Sequence, residues 1–511
     1  MLNLGTGSWP ARRARRAPDR VALRHRDREI TYGEVSERST RLAHALAGLG
    51  VQSGARVAYL GRNHPAFVES MFAAHLLGAI FVPLSFRLAA PELDYMLGQS
   101  GAEVLIHAPE CDTAVGGLVS YTGARVPLAS AYEGLLAGGA TEPIDVPLGL
   151  DDPALVLYTS GTTGLPKGTV LTHGNLAFNT LNMFVDVDIR EDEVALVAAP
   201  LFHVAALNQL LLPTFMKGGT SVLMDGWDVD GCLDAIERHG VTWVFGVAAM
   251  FAGLARSPRW DAADLSSLRH VMSGGAPIPT SLIHRYQERG IVFCQGYGLT
   301  ETAPGATFLG ADGSVEKAGS AGTPCFFADV KVVRPDLSEA APGEPGEVLI
   351  SGPSVTPGYW DAPEATAAAF TADGWFRSGD VAFRDEDGHL TIVDRLKDMY
   401  ISGGENVYPA EAEAVAAGHP AVAECAVVGV PDEKWGEAGA AFVVVRPGAS
   451  LAPDDFRAFL RERLASYKVP GHVHLVEQLP RTGSGKVRKS TLRARYAATS
   501  GEPEGQRTTE P

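Results

Sequence analysis

Apolar and polar positions alternate with two different periods along the first part of the chain. Short apolar runs, such as 56–60 and 79–83, have the length of buried strands. Between such runs, 31–49 repeats apolar residues at helical spacing, and Thr31 followed by Glu34 predicts a capping box at its start. The alternation of strands and helices indicates an α/β fold whose mostly parallel sheet is covered on both faces.

The pattern changes in the last third of the chain. Residues 318–352 are rich in strand formers and turn residues, which predicts a small barrel-like subdomain. A charged run at 392–399 then separates it from a further set of short strands and helices. With 511 residues, the chain is too long for one hydrophobic core. We therefore expect more than one domain, with residues 501–511 as a polar, disordered tail.

Composition excludes several classes of protein. A net charge of −17 argues against general nucleic-acid binding. The five cysteines form no CxxC pair, which is typical of reduced, mostly buried thiols rather than of a metal site. We see no signal peptide, and the most apolar stretches, 194–216 and 241–255, are interrupted or too short to span a bilayer, so we expect a cytoplasmic protein.

An arginine cluster near the N-terminus leaves two interpretations open. It is either a solvated helix face or a foothold for peripheral contact with anionic lipid. Its members are Arg12, Arg13, Arg15, Arg16 and Arg20.

The stretch 158–168 predicts a phosphate-binding loop. It follows a buried apolar run and combines hydroxyl side chains with Gly161 and Gly164, which let backbone N–H groups approach an anion. Lys167 adds a positive charge, but the order Pro-Lys-Gly differs from a Walker A loop. An ordinary flexible loop is the alternative.

Two glycine-rich segments, 272–277 and 295–302, could bind the parts of a nucleotide that the phosphate loop does not. Their small residues permit a flat adenine to lie against the backbone, and Tyr297 offers a face for stacking. Glu301 can hold Mg²⁺ through a hard carboxylate oxygen. Further along, Asp380 ends a tight turn and can accept hydrogen bonds from both ribose hydroxyls, although a turn-stabilising Asp is the alternative.

Taken together, these segments closely resemble the adenylate-forming enzymes, which include acyl-CoA synthetases, peptide-synthetase adenylation domains and luciferases. The resemblance covers about residues 10–495, with the motifs in the expected order. The strings at 402–409 and 431–436 are most similar to bacterial fatty-acyl-CoA synthetases of the mycobacterial and actinomycete type.

The resemblance implies a domain organisation. It predicts a large N-terminal domain at 1–394, built from two α/β sheet subdomains and a small β-barrel. A hinge at 395–398 would connect it to a mobile, small α+β C-terminal domain at 399–500.

The resemblance also implies roles for individual residues. The predicted catalytic residues are Lys486, Glu301 and Thr159, of which Thr159 and Glu301 would also hold the metal. The predicted ATP- and AMP-binding residues are Thr159, Ser160, Gly161, Thr162, Thr163, Gly164, Lys167, Gly275, Ala276, Pro277, Gln295, Gly296, Tyr297, Gly298, Thr300, Asp380, Arg395 and Lys486. The predicted substrate pocket comprises His203, Val204, Gly246, Val247, Met250, Gly274 and Tyr297. Lys397 is the predicted hinge residue, and Ser402, Gly403, Gly404, Glu405 and Asn406 the predicted CoA-binding residues.

The implied reaction is the ATP-dependent ligation of a carboxylic acid to the thiol of CoA through an acyl adenylate, with Mg²⁺ as cofactor. A fatty or other hydrophobic acid is expected, but Val247-Ala-Ala-Met250 departs from the family's usual Val-Pro-Thr and leaves the acid open. Transfer of the acyl group to an amine or a carrier protein is the alternative within the enzymes. A nucleotide-binding protein without catalysis is the alternative outside them, and a homodimer is a possible assembly.

Overall fold

The computed structural model describes residues 3–159, 165–275, 278–402, 405–432, 434–482 and 486–500. The strands are β1 (Val21–His25), β2 (Arg28–Thr31), β3 (Arg56–Leu60), β4 (Ile80–Leu84), β5 (Val104–His107), β6 (Ala124–Pro127), β7 (Pro153–Thr159), β8 (Lys167–Thr172), β9 (Val194–Val197), β10 (Thr220–Leu223), β11 (Trp243–Gly246), β12 (His270–Gly274), β13 (Val292–Gly298), β14 (Gly305–Leu309), β15 (Thr323–Pro324), β16 (Asp329–Val333), β17 (Gly346–Ser351), β18 (Gly358–Tyr359), β19 (Phe376–Arg384), β20 (Leu390–Arg395), β21 (Tyr400–Ser402), β22 (Glu405–Val407), β23 (Val422–Asp432), β24 (Gly436–Val445) and β25 (His472–Leu475).

The helices lie between these strands. They are α1 (Trp9–Ala14), α2 (Tyr32–Gly48), α3 (Pro65–Leu76), α4 (Ala90–Ser100), α5 (Asp112–Gly116), α6 (Glu133–Gly138), α7 (His173–Asp186), α8 (Leu212–Lys217), α9 (Val229–His239), α10 (Ala248–Arg256), α11 (Thr280–Gln287), α12 (Pro363–Ala368), α13 (Pro409–Ala417), α14 (Pro453–Arg461) and α15 (Lys489–Ser500). Among the described residues, no helix combines the length and apolarity that crossing a bilayer requires.

Two sheets organise the larger of two compact units, which comprises residues 1–331, 349–378 and 388–390. The first has the order β15-β14-β13-β12-β11-β9-β10-β1-β2, and the second the order β18-β8-β7-β4-β3-β5-β6. The central pairs are parallel, as in β11–β12, β12–β13 and β3–β4. Antiparallel strands close both edges of the first sheet and the β18 edge of the second, whereas β6 at its other edge is parallel to β5. Crossover helices make such parallel pairing possible.

One apolar core joins these two sheets. It contains Leu196 and Trp243 from the first sheet and Phe81 and Leu155 from the second. Helix α3 is mostly apolar and buried along its whole length, and its buried carboxylate, Glu69, is paired with Arg38. This core fixes the carboxyl ends of β7 and β13 as part of one body.

The described residues of the smaller unit lie within 332–348, 379–387 and 391–500. Its own sheet has the order β22-β21-β24-β23, with β25 paired to β24, and it packs on α13 and α14 around Tyr400 and Phe456. In the region of the expected barrel, the structure has a sheet of order β16-β17-β19-β20. The mixed α/β architecture, with a large N-terminal and a small C-terminal part, confirms the predicted fold class.

Local predictions also hold. Thr31 caps α2, and its hydroxyl accepts from the Glu34 N–H while the Glu34 carboxylate accepts from the Thr31 N–H. The five cysteines are all unpaired, and Cys425 is half-buried where the other four are buried.

Two arginines of the N-terminal cluster form hydrogen bonds with backbone carbonyls of the protein. The Nη2 atom of Arg12 donates to the Asn3 carbonyl at 2.7 Å, and Nη1 of Arg20 donates to the Gly218 carbonyl at 3.2 Å. These two side chains anchor the N-terminal segment. Peripheral lipid contact stays a prediction.

Candidate active site

The predicted phosphate loop connects two paired strands. Strands β7 and β8 are antiparallel, and Thr159 at the end of β7 lies opposite Lys167 at the start of β8. The hydroxyl and the ammonium group are thereby placed at the base of the loop. Ser160, Gly161, Thr162, Thr163 and Gly164, predicted to cradle phosphate, lie outside the described residues.

Glu301 is held in a short 3₁₀ turn, Thr300–Thr302, which follows β13 after one residue, Leu299. The Thr302 hydroxyl accepts from the Leu299 N–H at 2.9 Å, which closes the turn. A Cβ atom added to Gly298 would lie 1.6 Å from the Pro304 carbonyl oxygen, so only glycine fits there. The chain therefore doubles back tightly and leaves Glu301 only 8% exposed.

Tyr359 connects these two features. Its hydroxyl donates to Oε1 of Glu301 at 3.0 Å, and the Lys167 ammonium lies 5.3 Å from the centre of its ring. Burial raises the pKa of Tyr359, and the negative charge of Glu301 raises it further, so the phenol stays protonated and donates. In addition, the Thr356 N–H donates to the Glu301 carbonyl at 2.7 Å.

Tyr359 was absent from the residues predicted from the sequence. It reaches Glu301 because β18 pairs with β8, with Tyr359 opposite Thr169. The only sequence signal is the Gly358-Tyr359-Trp360 string, in which two large aromatic residues follow a turn.

The oxygen donors of this region fit Mg²⁺. Glu301 contributes a carboxylate and Thr159 a hydroxyl, and both are hard ligands of the type this ion prefers. The hydrogen bond from Tyr359 fixes one carboxylate oxygen of Glu301, as partners of metal-binding carboxylates commonly do.

The predicted substrate-pocket residues lie along the carboxyl ends of three neighbouring strands and the segment before α8. Gly246 ends β11, Gly274 ends β12, and Tyr297 is the penultimate residue of β13. A Cβ atom at Gly246 would contact Phe251 and Met250, whereas one at Gly274 would meet the Gly296 carbonyl oxygen at 2.5 Å.

The pocket residues therefore divide between two faces of the sheet. Gly246 pairs with Ser273, and successive strand residues point to opposite faces, so Gly246 and Gly274 face opposite sides. Val247, the N-cap of α10, is 36% exposed, and Met250 in that helix is buried.

His203 lies in the turn that precedes a π-helical turn, Ala206–Leu211. Its ring lies 4.5 Å from that of Phe202, which in turn packs against Phe86 at 5.7 Å. The neighbouring Val204 is 6% exposed. The histidine therefore lies among apolar and aromatic side chains.

In the smaller unit, Asp380 and Arg395 form an ion pair. The Arg395 Nε atom lies 3.2 Å from Oδ1 of Asp380, whose side chain is 7% exposed. The structure thereby brings together two of the residues predicted to bind the nucleotide. Lys397 lies in the turn after β20, where burial lowers its pKa and the charge of Arg395 lowers it further.

The other predicted residues of this unit lie in two hairpins. Ser402 in β21 pairs with Glu405 in β22, and it is buried whereas Glu405 is exposed. The Lys486 carbonyl accepts from the Thr482 N–H at 2.7 Å. The predictions for Gly403, Gly404, Ala276, Pro277 and the side chain of Asn406 lie outside the described residues.

The remaining predicted nucleotide-binding residues belong to the larger unit. Gln295, Gly296 and Gly298 lie in β13, and Thr300 begins the turn of Glu301. Gly275 follows β12 with φ of +83°, a conformation that favours glycine.

Comparison with known proteins identifies the family. A model described as AMP-binding enzyme matches residues 10–360, and one described as AMP-binding enzyme C-terminal domain matches residues 411–486. The chain belongs to the AMP-binding enzyme family. It is an acyl-CoA synthetase.

Individual relatives of this acyl-CoA synthetase differ in their acids. A feruloyl-CoA synthase of Amycolatopsis sp. is 53% identical over 496 residues, which cover 97% of this chain and 100% of that protein. A long-chain-fatty-acid–CoA ligase of Mycobacterium tuberculosis, FadD13, is 40% identical over 93% of this chain and 94% of its own.

Among solved structures, the o-succinylbenzoate coenzyme A synthetase MenE of Bacillus subtilis, in complex with ATP and magnesium ion, superposes with a TM-score of 0.85. It is 33% identical and covers 96% of this chain and 98% of its own.

Proposed function

We propose that this acyl-CoA synthetase activates an aromatic carboxylic acid rather than a fatty acid. The observation that carries the proposal is the identity of 53% over nearly the whole chain to a feruloyl-CoA synthase, against 40% to a fatty-acid ligase. This replaces the fatty acid expected from the sequence with a hydroxycinnamic acid or a close aromatic analogue.

The first half-reaction joins the acid to AMP. A carboxylate oxygen attacks the α-phosphorus of ATP in line with the departing pyrophosphate, and both reactants are negatively charged. The loop between Thr159 and Lys167 would hold the pyrophosphate, and Lys486 would neutralise charge that develops in the transition state. Mg²⁺, held by Glu301 and Thr159, would screen the repulsion between the phosphates and the carboxylate.

In the same half-reaction, Asp380 and Arg395 would bind the ribose. Their ion pair orients the aspartate, which is nearly buried. Replacing Asp380 with Asn is expected to raise the KM for ATP because a neutral amide accepts more weakly from two hydroxyls.

The second half-reaction passes the acyl group to CoA. We propose that a domain made of residues 399–500 reorients about the hinge 395–398, with Lys397 at its centre. Lys486 would then withdraw, and the hairpin at 402–406 would bind pantetheine. The thiol of CoA attacks the acyl carbon and AMP leaves.

A panel of acids tests the choice of substrate. ATP–pyrophosphate exchange is measured with ferulic, 4-hydroxycinnamic, benzoic, indoleacetic and palmitic acids, followed by thioester formation with CoA. The proposal predicts the highest kcat/KM for a hydroxycinnamic acid, and a preference for palmitic acid would contradict it. Exchange without thioester formation would favour the amine or carrier-protein acceptor.

A further inference from the structure

Gln209 is a nearly buried residue whose side-chain amide has no hydrogen-bond partner among the described residues. Its residue is 5% exposed, and within the described ranges its side chain makes no hydrogen bond. The two amide atoms are not among the fully buried side-chain atoms that lack a partner, so the amide still reaches solvent. A ligand that enters this space can therefore reach the amide and form hydrogen bonds with it.

The amide faces the predicted substrate pocket. Its Nε2 atom lies 3.8 Å from the position that a Cβ atom would occupy on Gly296 and 3.7 Å from the same position on Gly305. Gly296 lies on the same face of the sheet as Gly274, since the two pair in register. The Met272 methyl group lies 2.8 Å from the Cβ position of Gly296, so this wall combines bare backbone with one thioether. Such a flat, apolar surface suits a planar ring.

The residue before Gln209 anchors the turn that carries the amide. The Nδ2 atom of Asn208 donates to the Ala303 carbonyl, and the Asn208 carbonyl accepts from Nδ2 of Asn179 at 2.7 Å. The Oδ1 atom of Asn179 in turn accepts from the Gly305 N–H at 3.0 Å. This network ties the π-helical turn to the loop after Glu301, and π-helical turns are frequent at functional sites.

Gln209 lies deep enough in the predicted pocket to contact the end of the acid that is opposite its carboxylate. The carboxylate must react near the carboxyl ends of the strands, beside Gly298 and Glu301. Gly296 lies two residues further into β13, which is roughly 7 Å at the rise of a strand. A group next to Gly296 therefore meets the ring of an aromatic acid rather than its carboxylate.

We propose that Gln209 determines substrate specificity by binding a hydroxyl group on the ring of the aromatic acid. This rests on the proposed function. The amide oxygen accepts the phenol's hydrogen, and the amide N–H donates to the phenol's oxygen. An apolar fatty-acid chain would leave the amide unpaired, so the same residue would disfavour fatty acids.

The test compares two acids that differ only in this hydroxyl. We measure kcat/KM for 4-hydroxycinnamic and cinnamic acid by ATP–pyrophosphate exchange in the wild type and in Gln209→Met, which keeps the length of the side chain. The wild type is expected to prefer the hydroxylated acid by about tenfold or more, as a lost hydrogen bond in a built site implies. In Gln209→Met the preference should fall to near one through a higher KM for the hydroxylated acid, with the KM for ATP unchanged.

Leu210→Met is the matched control. Leu210 is fully buried in the same turn, so its substitution disturbs packing without removing a polar group, and the preference should survive. Should Gln209→Met fail to fold, Gln209→Asn keeps the amide but withdraws it by one methylene group, and a reduced preference is expected.

Each result decides between the two proposals. A wild type that activates aromatic acids without preferring the hydroxylated one, or a Gln209→Met variant that keeps the preference, overturns the role of Gln209 alone. A wild type that activates palmitic acid and no aromatic acid overturns the proposed function itself.

Discussion

The phenol of Tyr359 donates a hydrogen bond to the carboxylate of Glu301 at 3.0 Å, and its ring lies beneath the ammonium of Lys167. One aromatic side chain thereby joins the start of β8 to the turn that follows β13. The residue we expect to hold Mg²⁺ and a residue of the phosphate loop are thus positioned by a common neighbour.

Replacing Tyr359 with Phe tests this connection. The ring and its contact with Lys167 remain, but the hydrogen bond to a charged acceptor is lost, which is worth about 1.5–3 kcal/mol. We expect kcat for pyrophosphate exchange to fall by about tenfold and the Mg²⁺ concentration for half-maximal rate to rise. Tyr121→Phe removes a hydroxyl that donates to the Ala124 carbonyl at 3.1 Å and serves as control. Unchanged Mg²⁺ dependence in Tyr359→Phe would show that the bond is only structural.

Gly298→Ala tests the turn that carries Glu301. The added methyl group would overlap the Pro304 carbonyl oxygen, so the turn must shift. We expect a loss of more than about tenfold in kcat/KM for ATP, since small displacements of catalytic groups are costly. In Gly98→Ala, by contrast, nothing lies within 4 Å of the new methyl group, and a helical alanine should stabilise the fold slightly. Normal activity in Gly298→Ala would refute the tight fit.

Lys486→Ala tests the assignment of the transition-state cation. We expect pyrophosphate exchange to fall by at least about a hundredfold because charge that develops on the phosphates loses its partner. Thioester formation from pre-formed acyl adenylate should continue, since Lys486 is proposed to act only in the first half-reaction. Arg461→Ala removes an exposed cation of the same unit and should leave both rates unchanged. Full adenylation activity in Lys486→Ala would sink the proposed mechanism.

The buried pair of His75 and His173 predicts how stability depends on pH. Both ring Nδ1 atoms contact the Thr6 hydroxyl, at 2.8 and 2.9 Å, and burial lowers the pKa of His173 to about 4. Because the unfolded chain binds a proton near pH 6.5, the stabilisation from this group is present above pH 6.5 and is lost as the pH falls towards 4. Its full size is roughly 3 kcal/mol.

Chemical denaturation between pH 7 and 4.5 measures this effect. In His173→Asn, the free energy of unfolding should depend less steeply on pH, because one group fewer takes up a proton on unfolding. His284→Asn, at an exposed position, should leave this dependence unchanged. Parallel profiles for the wild type and His173→Asn would contradict the prediction.

The sequence predicts those parts of the site that are contiguous in the chain. Glu301 and its turn lie within one short string, and the strand β7 that precedes the phosphate loop is recognisable as an apolar run. The capping box of α2 was equally readable, because Thr31 and Glu34 are three residues apart.

Contacts between residues that are far apart in the chain could not be predicted from the sequence. Tyr359 reaches Glu301 through the pairing of β18 with β8. Gln209 lies near Gly296 although the two residues are 87 positions apart in the chain. Such contacts depend on which strands are neighbours and how far a helix is rotated, and residue spacing encodes neither. The acyl-CoA synthetase activity was therefore predictable from the sequence, whereas the contacts that we propose to select the acid were not.

The central claim is that the chain makes an aromatic acyl adenylate and transfers it to CoA. The most direct measurement is a single turnover with enzyme in excess, ferulic acid and Mg-ATP, followed by addition of CoA. The account predicts one equivalent of feruloyl-AMP and pyrophosphate before the addition, and feruloyl-CoA with AMP after it. Failure to form the adenylate with ferulic or any related aromatic acid, under conditions in which a fatty acid reacts, would contradict it.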